Sequence, residues 1–84
     1  MSAEQTPKTI VITGASRGLG AGMAEHFAEK GHKLGLCARS KPALSGSHIL
    51  SSTVDVRDSG AIAHFAQDVE EKFGAIDVWI NNAG

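Results

Sequence analysis

The stretch TIVITGASRGLG, residues 9–20, decides the fold. Its first five residues form a β-branched run that favours a strand buried on both faces, and Gly14 ends that run. Gly18 and Gly20 then stand at the opening of a predicted helix. A strand followed by a glycine-rich turn and a helix is the context in which such a motif binds phosphate groups.

Helices and strands are predicted to alternate over the rest of the chain. The first helix begins at Gly18, and Gly31 lies where a helix end favours positive φ. Its apolar face would consist of Leu19, Met23, Phe27, Ala24 and Ala28. Residues 33–38 read as a second strand and residues 48–56 as a third. This alternation predicts an α/β fold with a parallel sheet and helices on its faces.

A second helix is predicted after Asp58, which can cap it, and before Gly74. Its apolar face would consist of Ile62, Phe65, Val69 and Phe73. Residues 76–80 form the fourth predicted strand. By contrast, residues 40–47 between the second and third strands are too few for a normal helical crossover, and we expect a loop that leaves one face of the sheet poorly covered.

Composition excludes several classes of function. The 84 residues suffice for one small domain, and 8 Lys+Arg against 9 Asp+Glu provide no basic field for nucleic acid or a membrane surface. The single Cys37 cannot form an internal disulfide and is predicted to be a core residue. The spacing of the four histidines predicts no metal site, and neither a signal peptide nor a membrane span is expected, so we predict a cytoplasmic protein.

Each glycine of the turn has a predicted role in holding a dinucleotide. Gly14 permits the sharp turn, Gly18 lets a pyrophosphate approach the backbone, and Gly20 lets the helix pack closely. The helix N-terminus supplies free N–H groups and the positive end of its dipole. The alternative is that these glycines only shape a turn and bind nothing.

The combination of TGASRGLG, residues 13–20, with NNAG, residues 81–84, resembles the short-chain dehydrogenase/reductase family. The resemblance implies a three-layer Rossmann-like fold with strand order 3-2-1-4. It also implies an NAD(P)-dependent oxidoreductase that transfers a hydride between nicotinamide and a carbonyl or alcohol substrate, and a homo-oligomer when complete.

The resemblance also implies individual binding roles. Asp55 would accept a hydrogen bond from the exocyclic amine of adenine, and Val56 would donate its backbone N–H to a ring nitrogen; the alternative for Asp55 is a turn or capping role. Residues 81–84 would bond to the first turn near Thr13 and line the ribose and nicotinamide side. The predicted cofactor-binding residues are Gly14, Ser16, Arg17, Gly18, Leu19, Gly20, Arg39, Ser40, Asp55, Val56, Asn81, Asn82, Ala83 and Gly84.

The end of the second strand predicts the choice of cofactor. An acid there would bind the ribose diol of NAD(H), but this chain has Arg39 and Ser40, with Arg17 in the glycine turn. Two guanidinium groups would form charge-assisted bonds to the 2′-phosphate, and Ser16 with Ser40 would add hydroxyl donors, so NADP(H) is predicted. The alternative is that these arginines are solvated surface residues.

Catalytic residues are not predicted in this sequence. The family uses a serine and a Tyr-x-x-x-Lys pair located beyond NNAG, and the chain contains no tyrosine. We therefore expect the amino-terminal half of a longer reductase, ending after strand four and leaving that strand as an association-prone edge. The alternatives are a non-catalytic NADP(H)-binding or regulatory module, and a Rossmann-like domain for another adenosyl ligand, such as a methyltransferase.

Overall fold

A computed structural model describes residues 6–82 of the chain. The elements in chain order are β1 (Thr9–Thr13), α1 (Gly18–Glu29), β2 (Lys33–Ala38), β3 (Ile49–Thr53), α2 (Ser59–Phe73) and β4 (Val78–Ile80). The strands form one parallel sheet in the order β3-β2-β1-β4. The predicted Rossmann-like fold and strand order are confirmed. All four strands point the same way, so their carboxyl ends share one edge.

Alternate residues of the central strands pack on opposite faces of the sheet. Ile10 and Ile12 of β1 join Leu34 and Leu36 of β2 in a cluster with the buried Ala24 of α1. The opposite face contains Val11 and Cys37 together with Phe65 and Val69 of α2. Because both faces are covered by helices, β1 is buried along its whole length, as its β-branched run predicts.

Gly35 sets how closely α2 approaches the sheet. It lies opposite Val11 in the register of β1 and β2. A Cβ at this position would lie 2.5 Å from Cγ2 of Val69 and 3.3 Å from Cγ2 of Val11. Only a residue without a side chain therefore lets the helix and sheet pack at this distance.

The two helices begin differently. The Asp58 carboxylate caps α2, accepting a 3.0 Å hydrogen bond from the backbone N of Ala61, as predicted. At the start of α1, Arg17 has extended backbone and provides no side-chain cap, and the first turn contains no acidic residue. Within residues 6–82, no carboxylate or hydroxyl side chain caps the N–H groups at the start of α1.

Two predicted strands were too long. β3 ends at Thr53 because β2 ends at Ala38, and the chain then turns, with the backbone N of Asp58 donating to the carbonyl of Asp55 at 2.9 Å. β4 begins at Val78 rather than at residue 76. Before it, the Asp77 carboxylate accepts from the backbone N of Thr9 at 2.9 Å, and the Asp77 backbone N donates to the carbonyl of Thr9 at 2.9 Å.

The predicted apolar face of α1 was wrong at Leu19, which is 73% exposed. The buried positions of the helix are Gly20 and Ala24, with Met23, Phe27 and Ala28 packed beside them. Leu19 lies in the first turn of α1, where Gly20 is the buried residue and the adjacent Leu19 side chain is exposed to solvent.

The connection between β2 and β3 contains no helix, as predicted, and partly covers the α1 face. Leu44 packs against the α1-side cluster, and its carbonyl accepts a 2.8 Å hydrogen bond from Ser51 Oγ. β3 remains only half-buried, with Thr53 exposed. No helix within residues 6–82 is long and apolar enough to cross a membrane.

Candidate functional site

A cleft of about 970 Å³ lies at the carboxyl edge of the sheet. It is bounded by the β1–α1 turn, the segment after β2 and the segment after β3. The lining residues are Gly14, Ser16, Arg17, Gly18, Ala38, Arg39, Ser40, Lys41, Ala43, Asp55, Val56, Arg57 and Asn82. Ligands of open parallel sheets bind at this edge, where the strand order reverses beside β1.

Two positions of the glycine turn have backbone angles that favour glycine. Gly14 has φ of +67° and Gly18 has φ of +60°, both in the left-handed region. A Cβ on Gly18 would meet no protein atom within 4 Å, so its open side faces space rather than packing. The backbone N of Ala15 donates to the carbonyl of Cys37 at 3.2 Å, which anchors the turn to β2.

Gly20 and Asn82 join the start of α1 to the segment after β4. The Asn82 side-chain Nδ2 donates to the carbonyl oxygen of Gly14 at 3.0 Å. The Asn82 backbone N donates to Thr13 Oγ1 at 3.0 Å. A Cβ on Gly20 would lie 2.5 Å from Asn82 Nδ2 and would overlap the Gly14 carbonyl oxygen. Asn82 therefore holds the turn through the Gly14 carbonyl, and the absence of a side chain on Gly20 leaves room for the Asn82 amide.

The cleft is cationic although the whole chain has a formal net charge of −1. Four of its lining side chains carry positive charge, and Asp55 is the acidic one. The cations are Arg17, Arg39, Lys41 and Arg57. Together with the uncapped start of α1, this concentration of positive charge favours an anionic ligand.

Asp55 is held by Arg57 through three hydrogen bonds. Asp55 Oδ1 accepts from the Arg57 backbone N at 2.9 Å and from Arg57 Nε at 3.1 Å, while Oδ2 accepts from Nη2 at 2.9 Å. These hydrogen bonds lower the pKa of the Asp55 carboxyl from 3.8 to about 2. The sequence interpretation missed Arg57, although an acid and an arginine two residues apart after a strand are a detectable signal for such a fork.

The structure brings most predicted site residues together at the cleft. Lining it are Gly14, Ser16, Arg17, Gly18, Arg39, Ser40, Asp55, Val56 and Asn82. Leu19, Gly20 and Asn81 do not line it, and the Asn81 side chain instead accepts a 2.9 Å hydrogen bond from Trp79 Nε1. Ala83 and Gly84 lie outside the described residues. Lys41, like Arg57, lines the cleft without having been predicted.

Other reactive side chains form no second centre in the described part of the chain. Cys37 is fully buried, and this burial raises the pKa of its thiol to about 11, which keeps it protonated at neutral pH. The interpretation of Cys37 as a core residue is confirmed. Among residues 6–82, no group of histidine, cysteine and carboxylate side chains could hold a metal ion.

Comparison with known proteins decides the family. A family model described as short chain dehydrogenase matches residues 8–84. This chain belongs to the short-chain dehydrogenase family. The family's members are oxidoreductases that use nicotinamide dinucleotides, which agrees with the position and charge of the cleft.

Several relatives are similar over nearly the whole chain. An NADPH-dependent pterin aldehyde reductase from Arabidopsis thaliana is 36% identical, over 92% of this chain and 35% of the relative. The crystal structure of a short chain dehydrogenase from Bacillus anthracis superposes with a TM-score of 0.78 at 37% identity, covering 92% of this chain and 35% of that one.

A 3-ketoacyl-(acyl-carrier-protein) reductase from Brucella melitensis, complexed with NADH, has a TM-score of 0.79 at 29% identity, covering 86% of this chain and 32% of that chain. The chain spans about a third of the length of the curated relatives it matches.

Proposed function

We propose that this chain forms the cofactor-binding part of an NADP(H)-dependent oxidoreductase that interconverts a carbonyl compound and an alcohol. The observation that carries the proposal is the glycine turn and uncapped start of α1, which open onto a cleft with four cationic side chains. When bound, the dinucleotide supplies or accepts the hydride. The residues of this chain bind and orient it.

The phosphate-binding role belongs to the turn between β1 and α1. Gly18 is open on the side where a Cβ would stand, which leaves room for a pyrophosphate against the backbone. No side chain in the described part of the chain caps the N–H groups at the start of α1, so they can donate to phosphate oxygens. Asn82 holds the Gly14 carbonyl and so keeps the turn in the conformation that presents these donors.

The preference for NADP(H) rests on Arg17 and Arg39. Both line the cleft, and no acidic residue ends β2, where a carboxylate would bind the ribose diol of NAD(H). Guanidinium groups form paired, charge-assisted hydrogen bonds with phosphate. Ser16 and Ser40 also line the cleft and offer hydroxyl donors. One relative named above is NADPH-dependent and another was solved with NADH, so the arginines of this chain carry the argument.

The proton-transfer group of the reaction is proposed to lie in sequence beyond these 84 residues. The chain contains no tyrosine, and it spans about a third of its curated relatives. We therefore propose it as the amino-terminal segment of a single NAD(P)-binding domain in a longer, cytoplasmic reductase. Sequencing the messenger RNA downstream of residue 84 tests this: an open frame encoding a serine and Tyr-x-x-x-Lys supports it, and an immediate stop codon contradicts it.

Paired titrations of the full chain with NADPH and NADH test the cofactor assignment. Arg39→Asp is expected to weaken NADPH binding by about tenfold or more, because a phosphate loses a charge-assisted donor and meets a carboxylate. Binding of NADH, which has no 2′-phosphate, should change much less.

Lys8→Asp is the matched control for this charge reversal. Lys8 is exposed and precedes β1, at the end of the sheet opposite the cleft. This variant should leave the ratio of the two affinities unchanged. An equal loss of NADPH and NADH affinity in Arg39→Asp would contradict the phosphate-binding role of Arg39.

A further inference from the structure

Arg57 saturates one oxygen of Asp55 and leaves the other with room for a single donor. A carboxylate oxygen offers about two acceptor positions. Oδ1 of Asp55 already accepts from the backbone N and Nε of Arg57, whereas Oδ2 accepts from Nη2 alone. The side chain of Asp55 is 42% exposed and lines the cleft. It thus presents one acceptor position in a defined orientation.

We propose that Arg57 is a positioning residue that orients Asp55 so that the remaining acceptor position on Oδ2 selects ligands carrying an exocyclic amino group. This inference rests on the proposed function, since the amino group in question is that of the cofactor's adenine. It adds a residue, Arg57, for which the sequence motifs predicted no role.

The geometry of the fork supports positioning rather than simple charge pairing. The planar guanidinium contacts both carboxylate oxygens, and the Arg57 backbone N adds a third bond to Oδ1. A carboxylate held at both oxygens cannot rotate freely, so less conformational freedom is lost when a ligand binds. Lysine could supply the same charge but not the paired contacts.

Arg57 also removes an electrostatic obstacle. An unpaired Asp55 carboxylate would repel the phosphates of a dinucleotide within the same cleft. Pairing with Arg57 offsets that charge while the second acceptor position of Oδ2 remains available. The same residue therefore serves both attraction of the anionic ligand and recognition of its amino group.

Binding of NADPH and of its hypoxanthine analogue, in which oxygen replaces the exocyclic amino group, tests the inference on the full chain. The native protein is expected to favour NADPH by about tenfold, the typical worth of one hydrogen bond to a charged group. In Arg57→Gln this preference should fall to about threefold or less. In Arg57→Lys, NADPH affinity should recover in part, while the preference for the amino form remains reduced.

The variants should remain folded because the Arg57 side chain is 74% exposed, and circular dichroism checks this. Lys8→Gln removes a cation at the opposite end of the sheet and should behave like the native protein. If either Arg57 variant still binds NADPH and keeps the full preference for it over the hypoxanthine analogue, the positioning role of Arg57 is overturned. The proposed function is then unaffected. Failure of the native chain to bind either nucleotide would overturn the proposed function together with this inference.

Discussion

Gly20→Ala perturbs a contact between α1, the glycine turn and the segment after β4. The added Cβ would overlap the Gly14 carbonyl oxygen and lie 2.5 Å from Asn82 Nδ2. Forcing a methyl group into such a packed contact costs about 1–3 kcal/mol. If the Asn82 amide moves aside, its 3.0 Å hydrogen bond to Gly14 is also lost, which costs about 1 kcal/mol.

Alanine has a compensating advantage over glycine in a helix of at most about 1 kcal/mol. The expected net effect of Gly20→Ala is therefore a loss of about 1–3 kcal/mol in the free energy of unfolding. Nucleotide affinity should fall as well, because the shifted turn carries the proposed phosphate donors.

Gly22→Ala is the matched control in the same helix. Gly22 is exposed, and a Cβ there would meet nothing within 4 Å. This substitution should stabilise the protein by about 0.5–1 kcal/mol through helix propensity alone. Urea denaturation of the full chain, followed by circular dichroism, measures both values, and nucleotide titration measures the affinities. If the two variants agree to within about 0.5 kcal/mol, the reasoning about close approach at Gly20 is refuted.

Three further outcomes are expected. Gly35→Ala should lower the free energy of unfolding by about 1–3 kcal/mol in urea denaturation. The double variant Gly35→Ala with Val69→Ala should lose less than the sum of the two single losses, because Val69→Ala removes the methyl groups that clash with the new Cβ. The Asp55 carboxyl should titrate near pH 2 when followed by carbon NMR. Its contribution to stability is then complete above pH 3.8 and is lost as the pH falls from 3.8 towards 2. In Arg57→Gln, the pKa of Asp55 should return towards 3.8. Cys37 should resist a thiol reagent at pH 8 in the native protein and react once urea unfolds it, whereas rapid native labelling would contradict its buried, protonated state.

The elements of this fold could be predicted because their signals are local. The β-branched run of β1, the Asp58 cap and the apolar spacing of α2 each act through neighbours in sequence. The strand ends were less predictable, since they depend on partners distant in the chain. Just before β4, for example, Asp77 bonds through its side chain and its backbone to Thr9, which is 68 residues away in the chain.

The composition of the cleft was predictable only in part. The glycine turn could be predicted from the spacing of its glycines between a strand and a helix, and Arg39 from its place where an acid would bind the ribose diol of NAD(H). Arg57 was missed although its partner Asp55 lies only two residues away, because the sequence alone does not show that the turn after β3 directs both side chains into the cleft. The opposite placement of Asn81 and Asn82 was not predictable from a pair of identical adjacent residues.

The sequence alone determined the order of strands and helices, the glycine turn and the family, since periodicity, turn chemistry and motif spacing are written along the chain. Tertiary structure decided which cations share a cleft and why Gly20 cannot carry a side chain. These properties come from atoms brought within a few ångströms across long stretches of sequence, and no local pattern encodes such distances.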